Sequence, residues 1–338
     1  MQKLLVTGGA GFIGSNFIRY WLTNHSEDEI LNLDKLTYAG NLENLKEVPL
    51  KHGKRYKFVQ GDIANFQLVN HLFETYQPEI IVNFAAESHN SLAILNPRKF
   101  MMTNAVGLLT LLDVVRSHQI KRFHHISTCE VYGDLELDSP YQFQETSPYN
   151  PKTPYNASKA AGDHIVRSYF HTFKVPVTIT NCSNNYGPYQ FPEKVIPLFT
   201  INALEGKPLP IYESSQNKRE WLHVLDHCRA IELVLEKGKI GETYNVGSGI
   251  EKSVDELAEI ILKEIDAPKD LKQIVPDRPQ HDKRYFLDSS KIRLQLGWKP
   301  TTEFQEGIRD TIGWYRDHPE WWKPLKARLQ VNEASWKE

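Results

Sequence analysis

Two groups of residues could do chemistry together. Tyr155 and Lys159 lie four apart, and Thr128-Cys129-Glu130 precede them by one structural unit. A helix would put Tyr155 and Lys159 on one face. An ammonium beside a phenol favours the phenolate, so the pair is expected to lower the Tyr155 pKa and make it a base for an alcohol proton. Lys159 also has the reach to hold ribose hydroxyls. Thr128 could hydrogen-bond the same substrate hydroxyl, or simply cap a strand. Glu130 adds a separate carboxylate. Once an alcohol becomes a ketone, hydrogen on the adjacent carbon is acidic, and a carboxylate raised by burial can remove it. The plainer reading of Glu130 is a buried structural acid paired with a base.

A hydride acceptor is implied upstream. Thr7-Gly8-Gly9-Ala10-Gly11-Phe12-Ile13-Gly14 follows the apolar run Lys3 to Val6 and opens an amphipathic helix, Ile13 to Leu22. Glycines at 8, 11 and 14 permit a tight turn and close approach of a pyrophosphate to the helix N-terminus. A second strand, Ile30 to Leu33, ends in Asp34, twenty positions after Gly14. An acid there accepts from a ribose diol and repels a 2′-phosphate, so NAD is expected rather than NADP.

The alternation continues with strands at Tyr56–Gln60, Glu79–Phe84, Arg122–Ser127 and Val175–Thr180, and helices at Phe66–Thr75, Pro97–Ser117 and 153–174. Such alternation predicts a Rossmann-type α/β fold, a doubly wound parallel sheet with right-handed crossovers. Thr128-Cys129-Glu130 then falls at a strand's C-terminal end, where ligands bind in these sheets. After Thr180 the texture becomes loop-rich and irregular. Residues 1–181, with part of 220–250, are expected to form the NAD-binding domain. The remainder of 182–338 is expected to form a smaller α/β substrate domain. The tail with Trp314, Trp321 and Trp322 reads as one helix packing its aromatic face, with sugar stacking as the other option.

The chain has 338 residues, 40% hydrophobic and 24% charged, with a formal net charge of −2. That charge makes no case for nucleic acid or an anionic membrane. Three cysteines suit a reduced compartment and no disulfide framework. No apolar run approaches the ~18 residues of a membrane span, and a cytoplasmic protein is expected. No metal is expected.

Longer words carry a family resemblance: Leu33-Asp34-Lys35-Leu36-Thr37-Tyr38-Ala39-Gly40-Asn41-Leu42, Ala85-Ala86-Glu87-Ser88-His89, Cys182-Ser183-Asn184-Asn185-Tyr186-Gly187-Pro188-Tyr189-Gln190-Phe191-Pro192-Glu193-Lys194, Arg219-Glu220-Trp221-Leu222, and Asp277-Arg278-Pro279 with His281-Asp282-Lys283-Arg284-Tyr285. Through these the chain resembles the extended short-chain dehydrogenase/reductases. Within them it is similar to the nucleotide-sugar 4,6-dehydratases of the dTDP-glucose type. The resemblance implies that Tyr155 deprotonates the sugar C4 hydroxyl, with Thr128 and Lys159 beside it. NAD takes the C4 hydride, Glu130 removes the C5 proton, water leaves from C6, and the hydride returns to C6 to give a 4-keto-6-deoxy sugar. It implies that Gly8, Gly11, Phe12, Ile13, Gly14, Asp34, Lys35, Thr37, Asp62, Ile63, Ala85, Ala86 and Ser88 line the NAD site. It implies that Ser88, His89, Asn184, Asn185, Lys194, Tyr212, Arg219, Arg278, His281 and Tyr285 line the nucleotide-diphosphate-sugar site. Arg219 has the best fork for phosphate oxygens. A homodimer through the long helices near 97–118 and 153–174 is also implied.

The chain departs from that pattern. Cys129 stands where the family has the aspartate that protonates the leaving hydroxyl. It is placed by position with the catalytic group, and could be a weaker acid, a space-filler, or a place where water does the work. His89-Asn90-Ser91-Leu92-Ala93 replaces His-Val-Asp-Arg-Ser, and Asn181 and Val254 replace an arginine and an asparagine. These changes keep other readings open. One is a UDP-N-acetylglucosamine 5,6-dehydratase that returns hydride to C4 and leaves a 5,6-ene. The others are a 4-epimerase and a non-catalytic NAD-binding regulator.

Overall fold

The structure is a computed structural model that describes residues 1–329. Seven strands form one parallel sheet: β1 (Lys3–Thr7), β2 (Glu29–Asp34), β3 (Tyr56–Gln60), β4 (Ile80–Asn83), β5 (Arg122–Thr128), β6 (Val177–Cys182) and β7 (Thr243–Val246). Their order across the sheet is β7-β6-β5-β4-β1-β2-β3. The chain reverses direction across the sheet between β1 and β4, and the crevice beyond the carboxyl ends of those strands is where such folds bind ligands. Both faces of the sheet are covered. Leu5, Leu33, Ile81, Leu112 and Val177 belong to one buried cluster, and Val6, Phe17, Ile30, Val82 and Ile231 to another. The near-continuous apolar runs of the strands follow from this double coverage.

The predicted elements form with small shifts at their ends. One differs in kind. The helix expected over 97–117 is helical at Pro97–Met101 and Leu108–Val115 but widens to a π-type turn at Met102–Gly107. Asn104 sits in that turn. It accepts from Glu87 N at 2.9 Å and donates to the Glu87 carbonyl at 3.0 Å and to Ser158 Oγ at 2.8 Å. The extra residue in the turn aims an amide at the loop after β4, and helices pay for such bulges most often near functional sites.

Beyond β6 the chain builds two smaller sheets. Lys218–His223 pairs with Asn184–Tyr186 and with Glu251–Ser253. Leu209–Tyr212 pairs with Lys272–Val275. Helices Val195–Leu204, Val254–Ile265 and Phe304–Asp317 pack on them through Phe199, Leu257, Ile261 and Ile308. Helix Val224–Lys237 lies against the Phe12–Asn24 helix of the large sheet.

The tail is two helices rather than one, because Pro319 opens Pro319–Lys326 one residue after His318. Trp314, Trp321 and Trp322 gather with Tyr38, Phe191 and Tyr315. Trp321 Nε1 donates to Asn44 Oδ1 at 2.9 Å and Trp322 Nε1 to the Tyr315 carbonyl at 2.7 Å. Their role is packing. No helix among the described residues is long and apolar enough to cross a membrane.

Candidate active site

A single cleft runs along the carboxyl ends of β1, β2, β4, β5 and β6. Gly8, Gly11, Phe12, Ile13, Gly14, Asp34, Lys35, Thr37, Asp62, Ile63, Ala85, Ala86 and Ser88 line one part of it. Thr128, Glu130, Tyr155, Lys159, Asn184, Asn185 and Lys194 line the other. Residues 180 apart in sequence therefore share one wall.

The glycine end fits a dinucleotide by sterics. Gly8 has φ +70°, and a Cβ there would sit 2.6 Å from Ala85 N. A Cβ on Gly14 would sit 2.5 Å from the Gly8 carbonyl oxygen. Only hydrogen lets the loop close this tightly at the start of the Phe12–Asn24 helix, whose N-terminus faces the cleft. Asp34 accepts from Ala10 N at 2.9 Å and Leu36 N at 2.8 Å, so it fixes the glycine loop while keeping lone pairs for a diol. Burial pushes its pKa up and those two N–H bonds oppose the rise. Lys35 pairs with Asp62 at 2.6 Å beside it. Ser183 Oγ and Asn184 Oδ1 are buried in the cleft-lining residues with no partner among the described residues, as groups awaiting a polar ligand would be.

The 154–173 helix sets Tyr155 and Lys159. Thr153 caps it through Oγ1, accepting from Asn156 N at 3.2 Å, and Pro154 takes the first turn. Tyr155 lies against Phe100 and is hydrogen-bonded to Thr128. On the phenol, burial outweighs the expected effect of Lys159. Burial drives the Tyr155 pKa well above its ordinary value, and the Glu130 carboxylate adds to the rise. Lys159 Nζ instead donates to the Ile126 carbonyl at 2.7 Å and lies 3.5 Å from His125 Nε2. Burial lowers its own pKa, with Asp163 opposing.

Glu130 stands in a short 3-10 turn, Cys129–Tyr132, that Thr128 caps. Its Oε2 accepts from Asn90 Nδ2 at 3.0 Å. Burial raises its pKa, and Asp282 adds to this, while Asn90, Arg278 and Arg219 hold it down. No direct ion pair locks it among the described residues, so it retains the character of a base.

Cys129 departs from expectation. It is fully buried among Val131, Tyr132, Phe143, Ala160, Tyr285 and Leu287 and does not line the cleft. Burial and the neighbouring Glu130 push its thiol well up, so it stays protonated in an apolar cluster. It is a packing residue in this geometry.

The expected nucleotide-diphosphate residues divide. Lys194 Nζ donates to the Ser88 carbonyl at 2.9 Å across the cleft. Asn185 is already satisfied by Ser183 and His227. His89 caps helix Asn90–Leu95, and burial lowers its pKa to about 2, so its 3.9 Å approach to Glu193 is between an uncharged ring and a carboxyl. Tyr212, Arg219, Arg278, His281 and Tyr285 lie outside the cleft lining. Arg219 donates to the carbonyls of Lys218, Asp282 and Lys283 and lies over the Tyr285 ring. Tyr285 donates to Asp282. His281 contacts Ser214, Asp277 and the Tyr212 ring, with a pKa lowered to about 3. Arg278 makes no ion pair among the described residues and faces Glu130, His89 and His281.

The roles of three residues escaped the sequence reading. Asn90 and Asn104 are recognisable only by their contacts. Glu193, which lines the cleft and accepts from Tyr38 OH at 2.7 Å, lay unmarked inside a quoted word.

The comparisons agree with this geometry. A family model described as GDP-mannose 4,6 dehydratase matches residues 5–311. The dTDP-glucose 4,6-dehydratase of Neisseria meningitidis is 47% identical, with 96% of each chain covered. A dTDP-glucose 4,6-dehydratase from Streptomyces venezuelae, solved with NAD bound, is 45% identical at TM-score 0.91, over 96% of this chain and 100% of that one. The UDP-glucose 4-epimerase of Thermotoga maritima shares the fold at TM-score 0.87 but only 27% identity, over 94% of this chain and 100% of that one. With the dinucleotide cradle and a carboxylate beside Tyr155 on one cleft, the chain belongs to the NAD-dependent nucleotide-sugar 4,6-dehydratases.

Proposed function

We propose that the substrate is dTDP-glucose and the product its 4-keto-6-deoxy sugar. One observation carries this choice: Glu130 shares a cleft with Tyr155 and Thr128. A 4-epimerase needs no such third group. The identity to dTDP-glucose 4,6-dehydratases favours this substrate over UDP-N-acetylglucosamine.

Bound NAD supplies a reversible hydride acceptor. Tyr155 takes the C4 hydroxyl proton, with Thr128 holding the same oxygen. Glu130 takes the C5 proton from the ketone, and C6 loses hydroxide. One proton returns to C5 as hydride returns to C6, so the net loss is one water. The proton for the leaving hydroxide comes from the pair Glu130 and Tyr155 or from solvent, not from the buried Cys129 thiol. Arg278, which makes no ion pair among the described residues, supplies a guanidinium for the diphosphate, with Lys194 beside the sugar end. Residues 1–181 with β7 hold the cofactor and the smaller sheets hold the nucleotide. An exposed apolar stripe, Met102, Val106 and Leu109, supports a homodimer through these helices. A cytoplasmic location is consistent with the cysteine usage.

Incubation with dTDP-glucose and, separately, UDP-N-acetylglucosamine tests the assignment, with products read by mass and proton NMR. Loss of one water from dTDP-glucose, with a C4 ketone and a C6 methyl, is expected. A 5,6-ene formed only from UDP-N-acetylglucosamine overturns it.

A further inference from the structure

Asn90 faces two ways. Its Nδ2 donates to Glu130 Oε2 at 3.0 Å, and its Oδ1 accepts from Thr153 Oγ1 at 2.8 Å. The carboxylate can only accept, which fixes which end of the amide faces it. Thr153 Oγ1 meanwhile accepts from Asn156 N as the cap of the helix that carries Tyr155 and Lys159. The chain Glu130–Asn90–Thr153 therefore ties the carboxylate to the first turn of the tyrosine helix.

We propose that Asn90 is the positioning residue of Glu130, setting the carbon-proton base in register with the helix that bears Tyr155. The inference rests on Glu130 being the C5 base. Holding Oε2 leaves Oε1 as the oxygen available to the C5 hydrogen. Asn90 does not line the cleft, so it acts through Glu130 rather than on the sugar. A valine there, as the family resemblance would have it, could neither donate to the carboxylate nor accept from Thr153. The bond also opposes protonation. Asp282 pushes Glu130 toward its neutral form, whereas Arg278 and Arg219 resist. The uncharged groups facing it are Tyr155, Tyr285, Cys129 and Cys182. Among these neighbours, Asn90 is the one that donates a hydrogen bond to it.

The test compares wild type, Asn90→Val, Asn90→Asp and Glu130→Gln as purified NAD-containing proteins, given dTDP-glucose in deuterated water. Folding is checked by melting. Bound reduced cofactor reports C4 oxidation, and deuterium at C5 with loss of water reports elimination. In Asn90→Val, oxidation and KM stay near wild type, elimination slows by about tenfold, and the acid limb of kcat moves up by about one pH unit. Asn90→Asp, nearly isosteric, moves the limb further because it sets a like charge against Glu130. If both variants are folded and keep the wild-type limb and elimination rate while Glu130→Gln abolishes elimination, Asn90 is only a helix contact and the proposal fails. If Glu130→Gln itself still eliminates water, the base assignment fails and this inference falls with it.

Discussion

Lys159 and Tyr155 share one helical face, yet the ammonium turns inward and donates to the Ile126 carbonyl at 2.7 Å rather than to the phenol. The lysine thus props the carboxyl end of β5, where Thr128 and Glu130 begin. Its charge is kept near the cleft by Asp163 at the next turn of the helix.

That arrangement predicts different failures for the two residues. Tyr155→Phe should bind NAD normally and lose roughly 10²- to 10⁴-fold in kcat, the usual worth of a positioned proton acceptor. Lys159→Met should also weaken NAD retention and melt at a lower temperature, because it leaves the Ile126 carbonyl without the Nζ donor and removes a nearby positive charge from buried Asp163. Cofactor content after gel filtration and a thermal melt separate the two. Equal cofactor content in both would argue against this placement of Lys159.

Cys129 should be dispensable for chemistry. Cys129→Ala removes one sulfur from an apolar cluster and should cost about 1–2 kcal/mol of stability. Its kcat should stay within about threefold of wild type, under ~1 kcal/mol at the transition state. The native thiol should resist iodoacetamide at neutral pH, since burial holds it protonated. A hundredfold loss of kcat in a well-folded Cys129→Ala protein would restore it as the acid.

Glu220 should make stability depend on pH. It is wholly buried and accepts from Gly249 N at 2.7 Å and Leu287 N at 3.1 Å. Burial raises its pKa from 4.5 to about 7. Because the folded value lies above the unfolded one, its contribution is complete below pH 4.5 and is lost as pH rises to about 7. The expected loss is about 3 kcal/mol. Melting of wild type and Glu220→Gln from pH 5 to 8 checks this. Wild type should lose ground against the variant as pH rises, and parallel curves would contradict it.

Gly14→Ala should cost the cofactor. The new methyl would sit 2.5 Å from the Gly8 carbonyl, so the loop must open where a pyrophosphate would lie. NAD content should fall by about tenfold or more, equivalent to ~1.4 kcal/mol of affinity. Activity should return in part with excess NAD. A variant purified with full cofactor would show that the loop has room to spare.

Local chemistry made much of this protein readable in the sequence. The glycine spacing, the acid twenty residues on, the four-residue Tyr155–Lys159 step and the apolar strand runs each depend on short-range geometry. They named the parallel sheet, its ligand edge and the cleft residues from Gly8 to Lys194. Contacts between distant segments were decided only by the tertiary structure. The three carbonyls that Arg219 meets belong to Lys218, Asp282 and Lys283, two of them more than sixty residues away. Cys129 looked like an acid until its neighbours proved apolar. Asn90 stood out only as a departure from the family pattern, because a side-chain amide gains a role only from what stands on either side of it. Glu130 and Thr153 reach those positions through the packing of β5 and the 154–173 helix. The physical reason is range: propensity and spacing act over a few residues, whereas burial and hydrogen-bond partnership are fixed by whichever remote segments the core brings alongside.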